Sequence, residues 1–346
     1  MSPIYQRLKT QPDVKEVFEK RSLIVRALRE WFWDNSFIET ETPLLVNLPS
    51  MEPYLDPFKT ELKTESGKSY PAYLITSPEF AMKQLLAGGM ERIFQITRSF
   101  RNCETLSKAH NPEFTILEWY RAYSDYEAIM RDTEEICAHA CQTVNGSTIL
   151  SYQGQTIDLT PPWERISFAD ALKRYAKLDY DQIDTKEKLI PIMQERGYSH
   201  SESDDWDSLI LQVFINEVEQ HLGQKKPTIL CDYPASQAAL ATISPNDPRF
   251  AQRFEAYIAG VELCNAFDEL TNWQEQQSRL EEDRALRIKL GKDDYGLDLS
   301  FIEALRFGMP KSGGNALGVD RLCMILLDKT ALRDVIYIPW TEMFLR

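Results

Sequence analysis

FRNCETLSKAHNPEF, residues 100–114, separates two apolar runs, RIFQITRSF (92–100) and EFTILEWY (113–120). Both runs read as β-strands, rich in aromatic and β-branched residues. A plain hairpin needs only a short loop of about two to five residues. This loop is longer and polar, and it carries Arg101, Asn102, Cys103, Glu104, His110 and Asn111. Arg101 leaves the end of the first strand, where its fork of N–H donors suits a phosphate. Phe114 opens the second strand and offers a ring for stacking on a base. A surface loop whose arginine forms an ion pair fits the same residues, so the loop alone leaves both readings open.

The 346 residues suffice for one large domain, or for a domain with an insertion. With 43% hydrophobic residues the chain can bury a sizeable core. Its formal charge of −14 repels a phosphate backbone, so extensive binding to nucleic acid is disfavoured. A local basic pocket for a nucleotide is compatible with that charge. The six cysteines are scattered and none forms a C-x-x-C pair, so neither a disulfide framework nor a cysteine metal site is expected. Cys137 and Cys141 read as small residues on one face of a helix. No signal peptide and no 18-residue apolar run is found, so a cytoplasmic protein without a membrane span is expected.

Residues 15–34 have apolar residues at helical spacing (Phe18, Ile24, Leu28, Trp31, Phe32) and read as an amphipathic helix. A short strand follows at FIET, then another at PAYLITSP. SPEFAMKQLLAGG reads as a helix closed by Gly88 and Gly89 in a left-handed cap. A helix is expected near 125–143. Residues 150–225 are rich in charge and helical patterns and read as a small helical insertion within a single domain spanning 1–346. Strand signals resume at KPTILCDYP and RFEAYIAGVELCNAFDEL, broken at Gly260, followed by helices near 271–290 and 298–306. Strands mostly without short helical crossovers predict an α+β fold, a mostly antiparallel sheet flanked by helices.

Three further stretches can carry chemistry. In TSPEFAMK, Ser77, Pro78 and Glu79 mark a strand-to-helix turn; Glu79 either faces a ligand ammonium or belongs to an ordinary helix start. Glu255, Glu262 and Glu269 recur every seven residues on segments otherwise apolar or aromatic. Acids there are costly to bury without a cation. Two of them near phosphates suit Mg²⁺, and a third suits an amino group; a solvent-facing sheet is the plainer alternative. GGNALGVDRLCMILL brings glycines that allow close backbone approach and places Arg321 at a helix start, against the helix dipole. No Walker loop and no G-x-G-x-x-G is present.

In this order, the segments resemble the catalytic core of class II aminoacyl-tRNA synthetases over about residues 15–346. The helix ending in FIETETP resembles the first motif of that class, FRN…HNPEF the second and GVDR the third. TSPE, HNPEFTILEWY and the end of NAFDEL resemble the lysyl form. The resemblance implies ATP and Mg²⁺, and attack of an amino-acid carboxylate on the α-phosphorus. It implies that Arg101 holds the α-phosphate and that Phe114 and Arg321 sandwich the adenine. Asn102, Cys103, Glu104, His110, Asn111, Glu262, Leu263 and Gly318 would complete the nucleotide site. Glu255 and Glu262 would hold Mg²⁺. Glu79, with Ser77, Pro78 and Asn265 nearby, would bind the amino group beside the carboxylate; Tyr120 and Glu269 would bind the side-chain ammonium, so that separated acids serve the two amines. It also implies a homodimer, a reading that the aromatics Trp31 and Trp33 of the first helix support.

A full lysyl-tRNA synthetase carries an anticodon-binding barrel ahead of this core, and here about 14 residues precede the first helix. Ser236–Gln237 after YPA, and Ala316 in NALGVDR, resemble instead the elongation factor P–lysine ligase family. That resemblance implies activation of (R)-β-lysine or lysine and transfer to a lysine of elongation factor P. A carrier protein, a small amine or a tRNA is the alternative acceptor, and a catalytically dead binding paralogue is a third reading. Ala266 and Cys103 depart from the pattern, and either Cys103 or Glu104 is expected to face the adenine.

Overall fold

The computed structural model describes residues 3–103 and 107–344. Helices α1 (Ile4–Thr10) and α2 (Pro12–Asp34) lead to short strands β1 (Ile38–Glu39) and β2 (Leu45–Val46). A hairpin of β3 (Lys59–Lys63) and β4 (Ser69–Leu74) runs into α3 (Glu79–Ala87), then the pair β5 (Arg92–Phe100) and β6 (Glu113–Ala122), then α4 (Tyr126–Asn145). Strands β7 (Ile149–Tyr152), β8 (Gln155–Asp158) and β9 (Glu164–Ser167) precede helices α5 (Phe168–Ala171), α6 (Lys186–Glu195) and α7 (Trp206–Val213). The chain returns through β10 (Thr228–Pro234), β11 (Phe250–Ile258), β12 (Val261–Asp268), α8 (Trp273–Lys289), α9 (Leu299–Gly308), β13 (Ser312–Gly318), α10 (Val319–Leu326) and α11 (Trp340–Phe344).

The main sheet has eight strands in the order β1-β5-β6-β13-β12-β11-β10-β9. Only its two outermost pairs, β1 with β5 and β10 with β9, are parallel. The fold is therefore the mostly antiparallel α+β sheet that the strand pattern predicts. Helix does not fill 150–225: helical structure begins at Phe168, and residues 149–167 form three strands. Ile157 and Ile166 are buried while their neighbours are more exposed, the two-residue period of strands. The α3 helix is closed by Gly89 alone in the left-handed region, at φ +96°; Gly88 keeps a right-handed conformation.

Alternation along the strands sends their side chains to two different environments. On β6, Leu117 and Trp119 join a core with Phe32, Phe94, Ile136 and Leu322, beneath α2, α4 and α10. Phe32 lies parallel to Phe94 with centroids 4.5 Å apart. Trp31 is buried beside Phe32 and Phe37, and only Trp33 of the two tryptophans is exposed. Glu118 and Tyr120 point to the opposite face. One end of that face is covered by α3, α8 and α9, with Phe80 stacked on Phe301 at 4.1 Å. The other end is covered by α5 to α7, packed on Tyr233 and Tyr257. Among the described residues no helix is long and apolar enough to cross a membrane.

A buried ion pair fastens the covered face. Arg21 of α2 lies 2.6 Å from Asp320 of α10, and Asp320 accepts the Thr115 backbone N–H at 2.7 Å. Arg21 also donates to the Thr115 hydroxyl at 3.1 Å. Burial works against the Arg21 charge, but Asp320 holds its proton above the usual range. Asp320→Ala removes one partner and leaves the cation buried. It is expected to destabilise the fold by about 3–5 kcal/mol, read as a lowered urea midpoint with unchanged slope.

Candidate active site

The polar face begins at the β4–α3 turn. Pro78 sets the first helical φ and Glu79 opens α3, where a carboxylate favours the helix dipole. The Ser77 hydroxyl accepts the Glu79 N–H at 3.1 Å and donates to Glu118 at 2.5 Å. Tyr120 donates its phenol to the other Glu118 oxygen at 3.1 Å. One turn into α3, Lys83 reaches back to Glu79 at 2.5 Å and across to Glu269, beyond the end of β12, also at 2.5 Å. The two acids expected to stand apart for two different amines are thus bridged by one internal ammonium. The cause is the helical period, which puts residues 79 and 83 on one face.

Burial pushes Glu118 up to about 8, and the neighbouring Glu79 charge adds to it while Ser77 and Tyr120 pull the other way. Burial also raises Glu269 to about 8 against the pull of Lys83. For Lys83, burial opposes the charge, but Glu269 and Glu79 outweigh it and hold the ammonium above its usual range. Burial and Glu118 keep the Tyr120 phenol protonated. Glu52, from the loop before β3, accepts from the Thr76 hydroxyl at 3.3 Å and is raised by burial to about 7. Gly314 of β13 forms the opposing wall: a Cβ there would lie 2.3 Å from both Glu269 and the Tyr120 ring.

Next to this acid pocket stand the arginines. Arg101 follows β5 and lies over the Phe114 ring, 5.1 Å from its centroid. Arg321 donates to the Glu262 carbonyl at 2.9 Å, lies 3.3 Å from its carboxylate, and contacts His110 Nε2 at 3.3 Å. Gly318 packs on the Arg321 stem. Glu255 pairs with Arg253 at 2.5 Å and accepts from Tyr257 at 2.6 Å. Arg253 also donates to the Asn265 amide oxygen at 3.0 Å and lies over the Tyr233 ring. An irregularity in the β11–β12 pairing at Ala256/Tyr257 resets the alternation between Glu255 and Glu262. Burial raises Glu262, with Glu255 adding and Arg321 opposing. Glu219, past α7, is raised to about 7 by burial and then by Glu262 and Glu255.

Several residues expected at the nucleotide have protein partners. Asn111 is buried, donating to the Glu113 carbonyl at 2.6 Å and accepting from the Trp340 N–H, so its side chain anchors the loop. The Leu263 side chain lies in the core. Asn102 is tied through its backbone N–H to Asp56. Cys103 is exposed with φ +57°, and Glu104 lies outside the described residues. Cys137 and Cys141 are buried, and among the described residues no three His, Cys, Asp or Glu side chains are set to hold a metal by themselves.

Four residues of this face escaped the sequence reading: Lys83, Glu118, Glu52 and Arg253. Glu118 carried a usable signal, an acid alternating with apolar residues on a strand, the same feature that singled out Glu255. Lys83 carried one too, four residues after Glu79. Glu52 and Arg253 carried none.

Comparison with known proteins places the chain in a family. Residues 2–342 match the model of tRNA synthetases class II (D, K and N). The chain belongs to that family. It is 41% identical over 335 residues to a lysine–tRNA ligase of Thermoanaerobacter pseudethanolicus, covering 97% of this chain and 66% of that protein. It is 39% identical over 340 residues to a lysine–tRNA ligase of Moorella thermoacetica, covering 97% of this chain and 67% of that protein. The chain therefore spans about two thirds of the length of these class II relatives. In this class II core, Gly314→Ala is expected to cost about 1–3 kcal/mol and to displace Tyr120 or Glu269, read by denaturant titration and a crystal structure of the variant.

Proposed function

We propose that this class II core is an ATP-dependent ligase that activates lysine or (R)-β-lysine and passes it to a lysine side chain of elongation factor P. The observation that carries the reading is the adjacency of a buried acid pocket (Glu79, Glu118, Glu269) to two arginines, Arg101 and Arg321. The first suits ammonium groups and the second suits phosphates.

In the first step a substrate carboxylate oxygen bonds to the α-phosphorus of ATP as the bond to the β-phosphate oxygen breaks and pyrophosphate leaves. In the second, an acceptor amine bonds to the activated carbonyl, loses a proton, and AMP departs. Arg101 stabilises charge on the α-phosphate, and Arg321 and Phe114 hold the adenine. His110, which contacts Arg321, fixes that guanidinium. Glu255 and Glu262 fit Mg²⁺, because two acids suffice when phosphate oxygens supply further ligands. When bound, Mg²⁺ would neutralise phosphate charge. Ser77 and Tyr120 hold Glu118 toward the pocket, and Asn265, fixed by Arg253, lines it. Ala316 pairs with Asn265 on one side and Glu118 on the other, so its methyl adds bulk beside both residues, which supports a displaced, β-placed amine.

Residues 1–346 are read as one catalytic domain, with the helices of 168–221 as its insertion, in a cytoplasmic homodimer. Exposed Trp33 and an apolar hollow of about 410 Å³, lined by Phe58, Phe100, Tyr337 and Trp340, support the dimer. The names of the relatives favour a second acceptor, tRNA.

The test is ATP–pyrophosphate exchange with lysine and β-lysine, followed by intact-mass measurement of elongation factor P and by tRNA charging. Exchange plus one added lysyl group on the protein is expected; charging of tRNA with an unmodified protein selects the second acceptor. Arg101→Ala is expected to lower kcat by about 10²–10³ with an unchanged melting temperature. The substrate ammonium needs an ionised acid, and Glu118, buried and without a basic partner among the described residues, is pushed up to about 8. Binding must expel its proton, so KM for the amino acid is expected to fall as pH rises from about 6 to 8, by up to roughly tenfold per unit.

A further inference from the structure

Lys83 is 2% exposed, yet it carries a charge. Its ammonium faces Glu79 on α3, Glu269 beyond β12 and the Phe301 ring of α9, 5.9 Å from the centroid. Glu118 and Tyr120 of β6, Glu52 from the loop before β3 and Asp268 at the end of β12 are the further charged and titratable groups around these acids. Burying such a group is expensive. An ion pair of this kind can often be replaced by apolar residues at little cost in stability. Stability alone therefore gives no reason to keep a lysine here, whereas the charge of the pocket does. With every group ionised, Glu52 set against Arg101 and Asp268 against Lys311, the carboxylates of Glu79, Glu118 and Glu269 less the ammonium of Lys83 leave two negative charges, which a substrate with two ammonium groups neutralises. Without Lys83 the acids repel one another and take up protons.

We propose that Lys83 is a positioning residue of the amino-acid pocket: its resident ammonium locks Glu79 to Glu269 and sets the pocket's charge for a substrate bearing two ammonium groups. The proposal rests on the lysine-type reading above. Lys83 makes no bond to the reacting atoms. It acts through the two acids, so its loss affects capture of the amino acid and leaves phosphoryl chemistry intact.

The experiment compares wild type, Lys83→Met and Lys83→Arg in ATP–pyrophosphate exchange between pH 6 and 9. The substrates are lysine and 6-hydroxynorleucine, which replaces the side-chain ammonium by a hydroxyl. At pH 7, Lys83→Met is expected to raise KM for lysine about tenfold or more, equivalent to one pKa unit or more of lost charge stabilisation. Its kcat and KM for ATP stay near wild type, preference over 6-hydroxynorleucine narrows, and KM recovers toward pH 9 as the acids ionise. Lys83→Arg keeps the charge and is expected to keep the wild-type pH profile. A folded Lys83→Met protein with wild-type KM and pH profile overturns the proposal, and so does a loss confined to kcat. If Lys83→Met does not melt cooperatively, Lys83→Gln is read in the same way.

Wild-type protein that exchanges pyrophosphate with no diamine refutes the substrate reading. Melting against pH then decides the role of Lys83 separately. An acid raised in the folded state loses stability as pH rises, so Lys83→Met is expected to lose melting temperature from pH 6 to 9 more steeply than wild type. Parallel curves overturn the proposal.

Discussion

A carboxylate placed on a buried sheet surface needs a cation or a proton, and this requirement shapes the molecule on both sides of its main sheet. Behind the sheet, Asp320 has Arg21 and Asp132 has Arg121. On the ligand-facing side, Glu255 has Arg253, Glu262 has Arg321, and Glu79 shares Lys83 with Glu269. Most of these bases arrive from a different element than their acid. The pairs therefore specify which helix lies over which strand, a task that apolar packing alone performs loosely.

Glu118 departs from this pattern. Among the described residues it has no basic partner within ion-pair distance, only the hydroxyls of Ser77 and Tyr120. Burial, and then the neighbouring Glu79 charge, push it up to about 8. The acid left without a cation is where the proposed substrate ammonium would complete the pocket. The arginine side shows the complementary arrangement: Arg101 rests on Phe114 and Arg321 on Glu262 and His110. Each guanidinium already has a protein partner, so an anion at the proposed site would exchange partners in place of ordering free side chains.

The loop of residues 100–114 is held from outside itself. Arg287 is buried and pairs with Asp56 while donating to the Glu52 and Leu55 carbonyls. Asp56 in turn accepts the Asn102 N–H at 2.7 Å. A helix far along the chain thereby fixes the point where the loop leaves β5, and Asn111 with Trp340 fixes where it enters β6. Rigid ends on a polar loop hold Arg101 in place, as its proposed phosphate contact requires.

Much of this was legible in the residues themselves. Apolar periods located the helices and the long strands, because period is a local property of the backbone, and the same alternation along β6 carried a signal for Glu118 that the reading passed over. The acids on RFEAYIAGVELCNAFDEL and the loop arginine announced a charged ligand, because the cost of burying a charge depends on residue type. Tertiary structure alone decided the partners. No local rule states that Lys83 spans Glu79 and Glu269, that Arg253 clamps Glu255 and Asn265, or that Asn111 turns to Trp340. Nor does one state that 149–167 adds strands ahead of the helices that begin at Phe168. Those outcomes depend on which distant segments share the space around a charge, and only the folded sheet sets that.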